Sequence, residues 1–574
     1  MKIKHLFGLA VIAAMTASCS SNEDLGTAGP GTGTNETGVG YATFTINLPS
    51  VSGTRADAGG AEMNEGTAKE YAVSSATALI FQKYGSDEGS CKFVESVDLP
   101  TAAADWTDDT TGGITTTSKK LVAKLTNVDT KNQYYVLVLL NNNKTGGVKV
   151  ALPTVGQSYN EWNKQILTPS VDDLAADNDF YMANAPLKGT ASASPTTLVT
   201  IDKENIYPTK KKAEEGTSAA TVYVERGVAK MSVTDPATKT VIDKATNNPT
   251  KSTVKFNNWA LDITNKKTYA VHNIDGLSTD FPAIWTTSRF IGTNSRVYWG
   301  KDPNYNLNNL NNTDNETDRQ AEFNFINATS EINKAFTESA YCLENTFNLD
   351  NMYQGQTTRV IFKATYAPKN ATGESLADQD GTFYTIGNMT TILNTDKLKT
   401  AVDAVATPVL PTGYTIDYTN FKKEGSHVIA LEDIKDATGA TLVAGTDYGG
   451  MTGTQIVKKI NDRLGLKAGR PEEMVGINTY LRGVTYYIAR VKHFGSLTPW
   501  NSGESYGTAN EKYLGRYGML RNNWYDLTVG NVYGPGYPGV PPVDPNQPDD
   551  ENEKYLSVSV KILSWAKRSD TVDL

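Results

Sequence analysis

The chain has 574 residues, too many for one compact core, so two domains plus tails is the organisation to expect. With 54 basic and 63 acidic residues the net charge is −9, and no basic cluster offers a nucleic-acid face. Three cysteines and four histidines, without a CxxC or Cys/His grouping, exclude a zinc site of the usual spacing.

At the N-terminus Lys2, Lys4 and His5 precede an apolar run, Leu6 to Met15, that is too short to span a bilayer and reads as a secretory signal. Small residues then lead to Cys19, the pattern of a bacterial lipobox in which Cys19 becomes the acylated first residue; an ordinary signal containing a cysteine is the alternative. Ser20 to Gly40 is a Gly/Thr/Asn spacer. Tyr41 to Leu48 places Phe44, Ile46 and Leu48 in alternation with polar residues, a half-buried strand about 26 Å long. It runs into Pro49 and a small-residue loop, Ser50 to Glu62, whose one arginine, Arg55, stands before Ala56. Such loops are where proteases cut; a merely solvated arginine is the alternative.

Further strands are expected at Thr77–Gln82, Leu121–Leu125 and Gln133–Leu140, with a helical interruption over Tyr159–Leu167. Tyr223–Val233 reads as a strand at the domain change. In the second half the strand pattern recurs at Val254–Thr264, Arg359–Tyr366, Thr382–Ile386, Val484–Val491 and Asn522–Val529. Gly453–Leu464 sets Ile456, Ile460 and Leu464 on one helical face. The Asn-rich run Asp302–Asp318 reads as a solvated loop, its acids matching no calcium-loop spacing.

Asn531–Glu553 is a Pro/Asp linker that packs on nothing and reaches about 70 Å when extended. Beyond it, in Lys554–Leu574, Leu556, Val558, Val560 and Ile562 alternate with polar residues, and the phase then slips at Leu563 and Trp565 as a bulge or an approach to a second groove would require. Such a strand must add to a sheet, either its own domain's or a neighbour's.

No nucleophile elbow, HExxH, phosphate-binding or dinucleotide motif occurs, so neither catalysis nor a cofactor or metal is expected. His272, His427 and His493 read as satisfied or exposed histidines, Trp500, Trp524 and Tyr525 as packing aromatics, and Cys91 and Cys342 as buried single thiols. The fold class is mostly β: two β-sandwich-like domains with minor helix, a Pro-rich linker and a C-terminal strand.

Several segments in this order resemble the major fimbrial subunits, or type V pilins, of Bacteroidales: Cys19, the strand–loop–Arg55 arrangement, VERGVAKMSV (Val224 to Val233), VKFNNWALDITNKKTY, YCLENT (Tyr341 to Thr346) and TRVIFKATYAPK. YYIARV, Pro499-Trp500-Asn501, YGMLRNNWYDLTV and the tail VSVKILSWAKRSDTVDL complete the series. The resemblance implies export as an outer-membrane lipoprotein and cutting after Arg55 by an arginine-specific protease, with loss of the strand bearing Phe44, Ile46 and Leu48. The strand bearing Leu556, Val558, Val560, Ile562 and Trp565 of another copy then fills the groove. It implies transthyretin-like domains with a C-terminal donor strand, and a head-to-tail cell-surface fimbrium with minor tip or anchor subunits as partners, supporting adhesion and biofilm formation, and no enzyme activity. The expected parts are a signal (1–18), a lipidated propeptide (19–55), an N-terminal β domain (56–228), a C-terminal β domain (229–530), the linker (531–553) and the donor strand (554–574). A lipid-anchored adhesin or glycan-binding lipoprotein, or a minor fimbrial subunit, is the alternative.

Overall fold

The computed structural model describes residues 33–35, 38–49, 66–101, 107–109, 116–188, 195–282, 297, 299–308, 310–493, 511–549 and 556–564. Cys19, Arg55, Ala56, Trp500 and Trp565 lie outside them.

The N-terminal sheet is built from β1 (Gly40–Asn47), β2 (Ala76–Gln82), β3 (Lys92–Leu99), β4 (Thr116–Leu125), β5 (Tyr134–Leu140), β6 (Met182–Asn184), β7 (Ile206–Tyr207) and β8 (Ala220–Arg226). Its order is β3-β2-β5-β6-β8-β1-β4, with β7 also pairing β1. The strands close around one core that includes Phe44, Ile46, Leu79, Phe81, Leu121, Leu137 and Val222. Short helices decorate it, among them α1 (Ala68–Tyr71), where Thr67 N donates to Glu70 Oε2 at 2.8 Å, and α2 (Tyr159–Asn163), started by Ser158 accepting from Glu161 N. The expected helix is therefore present but shorter than its apolar pattern.

Tyr223–Val233 is two strands rather than one. After Arg226 the chain turns at Gly227-Val228 and re-enters as β9 (Ala229–Val233), which belongs to a second sheet. That sheet adds β10 (Thr238–Ile242), β11 (Pro249–Asp262), β12 (Ala340–Cys342) and β13 (Arg359–Ala367). Beyond a hairpin of β14 (Phe383–Ile386) and β15 (Ile477–Tyr480), which frames α3 (Thr395–Ala406) and α4 (Gly453–Leu464), come β16 (Val484–Arg490) and β17 (Asn523–Val532). The sheet order is β12-β9-β17-β10-β11-β13-β16, and its core gathers Met231, Phe256, Trp259, Phe362, Tyr487, Tyr525 and Leu527.

Strands β13 and β16 are antiparallel neighbours, Arg359 opposite Arg490 and Thr365 opposite Val484. Everything between them is an insertion at the tip of a hairpin, and it has its own core of Leu398, Val402, Phe421, Ile434, Ile456, Ile460 and Leu464. Helix α4 buries the Ile456/Ile460/Leu464 face expected of it, begins at Thr452 and ends at Gly465 with φ +68°.

The Asn-rich run after Asp302 is not a solvated loop. Asp302, Asn304, Tyr305 and Leu310 are buried, and Glu316–Glu322 is helical. A side-chain and a main-chain amide replace the water such a segment ordinarily needs: Asp302 Oδ2 accepts from Asn265 Nδ2 at 2.8 Å and Oδ1 from Asn304 N at 2.6 Å.

Candidate functional site

Strand β1 is not the half-buried strand that its alternation suggests, because both of its edges and both of its faces are covered. It runs antiparallel to β4, with Phe44 opposite Leu121, and parallel to β8, with Phe44 opposite Ala220 and Ile46 opposite Val222. Ala42, Phe44 and Ile46 have no exposed surface, and Leu48 is buried beside them. On the other face Tyr41 packs with Tyr207 and Ala213, Thr43 Oγ1 donates to the Ala213 carbonyl at 2.6 Å, and Thr45 and Ser218 hydroxyls meet at 2.7 Å. An open cavity of about 660 Å³ lined by Thr45, Lys120, Tyr207, Lys212 and Glu215 borders that face.

Burying Phe44, Ile46 and Leu48 contributes on the order of 5–9 kcal/mol gross, at roughly 1.5–3 kcal/mol per side chain. Withdrawing β1 would open the edges of β4 and β8 together, leaving two rows of main-chain donors and acceptors around an apolar trough. A strand of the same apolar period is the occupant that satisfies both demands.

At the other end of the chain β18 (Leu556–Ser564) pairs antiparallel with β17 of the same chain, Asn523 opposite Ser564, Thr528 opposite Ser559 and Val529 opposite Val558. The pairing is unbroken from Val558 to Ser564, so the change of apolar phase after Ile562 is not a bulge; the irregularity lies at the other end, between Val529 and Val532. Its described pairing is to β17 alone, whereas β1 is held along two edges. The described chain after β17, as far as Asp549, is no solvated tether either. Tyr537 and Tyr486 exchange main-chain hydrogen bonds of 2.7 and 2.9 Å, and Asp549 is fully buried.

Between the two sheets lies a buried charged seam. Lys230 Nζ on β9 stands 2.6 Å from Glu70 Oε1 and 3.7 Å from the centre of the Trp524 ring on β17. Tyr341 donates its hydroxyl to Glu70 at 2.6 Å. Burial pushes the Glu70 carboxyl up, but the hydrogen bonds from Lys230 and Tyr341 outweigh it and hold the group below its ordinary range. Beside this, His272 Nδ1 meets Glu225 Oε1 at 2.8 Å, and Arg521 Nε donates to Glu344 at 3.2 Å.

His493 bonds the Tyr525 hydroxyl at 2.7 Å, and His427 the Lys423 carbonyl at 2.9 Å. Tyr525 is core and Trp524 half-buried over Lys230, so neither offers an open stacking face. Cys91 and Cys342 are buried free thiols, the latter pushed up to about 12 by burial. Among the described residues no group of three or more His, Cys, Asp or Glu is placed to hold a metal ion, and no helix is long and apolar enough to cross a membrane.

The charged seam gave no advance signal, since its members lie far apart in the chain. The terminal strands did, through their period-two apolar pattern.

Residues 478–571 match the family described as major fimbrial subunit protein type IV, fimbrillin, C-terminal. The matched stretch runs from β15 through β16 and β17 to β18 and beyond. No curated protein matches the chain. Among solved structures it is similar to a fimbrial assembly protein from Parabacteroides distasonis, at 11% identity over 58% of this chain and 85% of that one, with a TM-score of 0.27, a likeness on which nothing further rests. The C-terminal region of the chain is thus similar to that of fimbrillin-type fimbrial subunits.

Proposed function

We propose that this chain is a fimbrial subunit that polymerises by donor-strand exchange. In this reading the chain is exported as a lipoprotein acylated at Cys19 and cut between Arg55 and Ala56, outside the described residues. The cut frees β1, and Leu556–Ser564 of another copy enters the trough between β4 and β8. Each subunit then gives one strand and receives one, which propagates head to tail.

The observation that carries the reading is the contrast between the two terminal strands. The first is buried between two neighbours in one sheet, and the last is paired in the other sheet with one described neighbour. Before the cut, β1 returns to its trough as an intramolecular partner, favoured by effective concentration over any competitor; the cut removes that advantage. Leu556, Val558, Val560 and Ile562 repeat the spacing of Ala42, Phe44, Ile46 and Leu48, so exchange conserves the apolar period that the trough accepts.

Limited trypsin followed by SDS gels without boiling tests the proposal. Expected are a nick after Arg55, release of the segment bearing β1, and ladders that vanish when Lys554–Leu574 is deleted. A clean nick with the protein still monomeric removes the proposal. A second reading, a surface-anchored adhesin whose C-terminal strand completes its own sheet, draws on the pairing of β18 with its own β17. It requires the same deletion to destabilise the fold of the monomer, whereas exchange requires the truncated subunit to remain folded.

A further inference from the structure

The segment leading to β18 lies along the body of the protein and is held at three successive places. Against β15 and β16, Gly536 N donates to Thr485 Oγ1 at 2.8 Å, the Tyr480 and Tyr487 hydroxyls donate to the carbonyls of Gly536 and Gly534 at 2.9 and 2.8 Å, and Tyr537 pairs with Tyr486. The approach is close enough that a Cβ on Gly536 would collide with the Tyr486 carbonyl oxygen. Next, buried Arg359 holds Asp262 Oδ2 with Nε at 2.8 Å and turns its fork on the chain, Nη2 donating to the Pro541 carbonyl at 2.6 Å and Nη1 to that of Pro542 at 3.1 Å. Finally Gln354 N donates to the Gln547 carbonyl at 2.9 Å, Gln354 Nε2 to that of Pro548 at 3.3 Å, Asp549 N to that of Met352 at 3.1 Å, and Thr357 Oγ1 to Asp549 Oδ2 at 3.3 Å.

Prolines 541, 542, 545 and 548 bring no N–H and a fixed φ, so this stretch cannot fold on itself. Its carbonyls need external donors, and Arg359 and Gln354 supply them. The guanidinium fork suits two adjacent carbonyls in a way that an ammonium does not.

We infer that Gly534–Asp549 is a strap that stays docked while the C-terminal strand is exchanged, and that Arg359 is its positioning residue. The inference rests on the exchange reading above and adds the geometry of the joint. With the strap docked, the strand hangs from Asp549 with six residues before Leu556, a reach of about 25 Å at full extension instead of the roughly 70 Å of an undocked linker. The trough of the receiving copy must then lie within that reach of Asp549, so the subunit spacing is set by where the strap ends.

The test pins the strap. Tyr353 and Pro548 face each other as an antiparallel bridge, a Cα separation within disulfide range, so full-length Tyr353→Cys/Pro548→Cys is oxidised, treated with trypsin and compared with wild type. Ladders within about twofold of wild type, with and without reductant, support a strap that never leaves. Ladders lost more than tenfold in the oxidised protein and restored by reductant overturn it, because the linker must then unspool. A wild type that makes no ladders sinks the exchange reading, and the strap's role with it. Arg359→Lys, which keeps a charge beside Asp262 but loses the fork, is read by the axial repeat in electron micrographs, which loss of stability alone would not change. A broadened or lengthened repeat is expected, and a repeat identical to wild type removes the positioning role.

Discussion

Lys230 Nζ and Glu70 Oε1 stand 2.6 Å apart with both side chains buried, joining the first helix after the proposed cleavage loop to the first strand of the second sheet. Tyr341 completes the carboxylate and the Trp524 ring covers the ammonium, so the pair is enclosed on several sides. Burial by itself disfavours both charges.

Removing one partner strands the other. Lys230→Met should cost about 3–5 kcal/mol, because Glu70 is left buried without the Lys230 charge, while Lys230→Met/Glu70→Leu should recover much of the loss. Urea unfolding of the two variants checks this. Equal destabilisation by the single and double changes would mean that the ion pair is not what the seam depends on.

Locking β18 onto its own sheet should stop assembly. Thr528 and Ser559 are directly opposed on β17 and β18, so Thr528→Cys/Ser559→Cys can form a cross-strand disulfide. The oxidised, trypsin-nicked protein is expected to stay monomeric on non-reducing gels and to ladder once reductant is added. Ladders from the locked form would show that some other segment joins the copies.

Phe44→Ala removes a fully buried ring from β1 and should destabilise the uncut precursor by about 3–5 kcal/mol. After the cut the same change should speed release of the N-terminal segment and shorten the lag before ladders appear. The mature subunit carries no trace of the substitution, so the stability of the finished ladder should match wild type. A lower melting point of the ladder itself would contradict the loss of β1.

Burial raises the Glu88 carboxyl to about 7, while the Thr197 and Leu198 amides, at 2.7 and 2.5 Å, partly offset the penalty. A folded-state pKa above the unfolded value of about 4.3 means that the native state holds its proton longer, so stability falls as pH rises from about 4 to 7. Asp302, likewise raised to about 7 by burial, acts in the same sense. Glu88→Gln keeps the oxygen that receives both amides and removes the charge. The variant should melt higher than wild type at pH 8, with the difference shrinking towards pH 5. A constant difference across that range would mean that Glu88 does not titrate in the window.

Much of the fold was legible before any contact was known. The alternation in Thr77–Gln82, Val254–Thr264, Arg359–Tyr366 and Val484–Val491 marks strands the structure contains, and Ile456, Ile460 and Leu464 mark the buried face of α4. Three things were not legible. Tyr223–Val233 divides at Gly227-Val228 between two sheets, a choice that the partners on either side make, since its residues suit a strand throughout. The Asp302 run is buried because Asn265 and Thr346, distant in sequence, satisfy its carboxylate. The proline-rich segment is docked because Arg359, 182 residues before Pro541, supplies donors that its composition cannot reveal.

The sequence by itself determined the periods: which stretches are strands, that the first and last of them carry one apolar stripe each, and that no catalytic motif lies between. Side-chain alternation is a local property and is written in the order of residues. The tertiary structure decided the edges: that β1 has neighbours on both sides, that β18 pairs with β17, and that the chain before β18 is docked as far as Asp549. Main-chain donors and acceptors are the same at nearly every residue, so which edges meet is settled only by the long-range packing that brings them together.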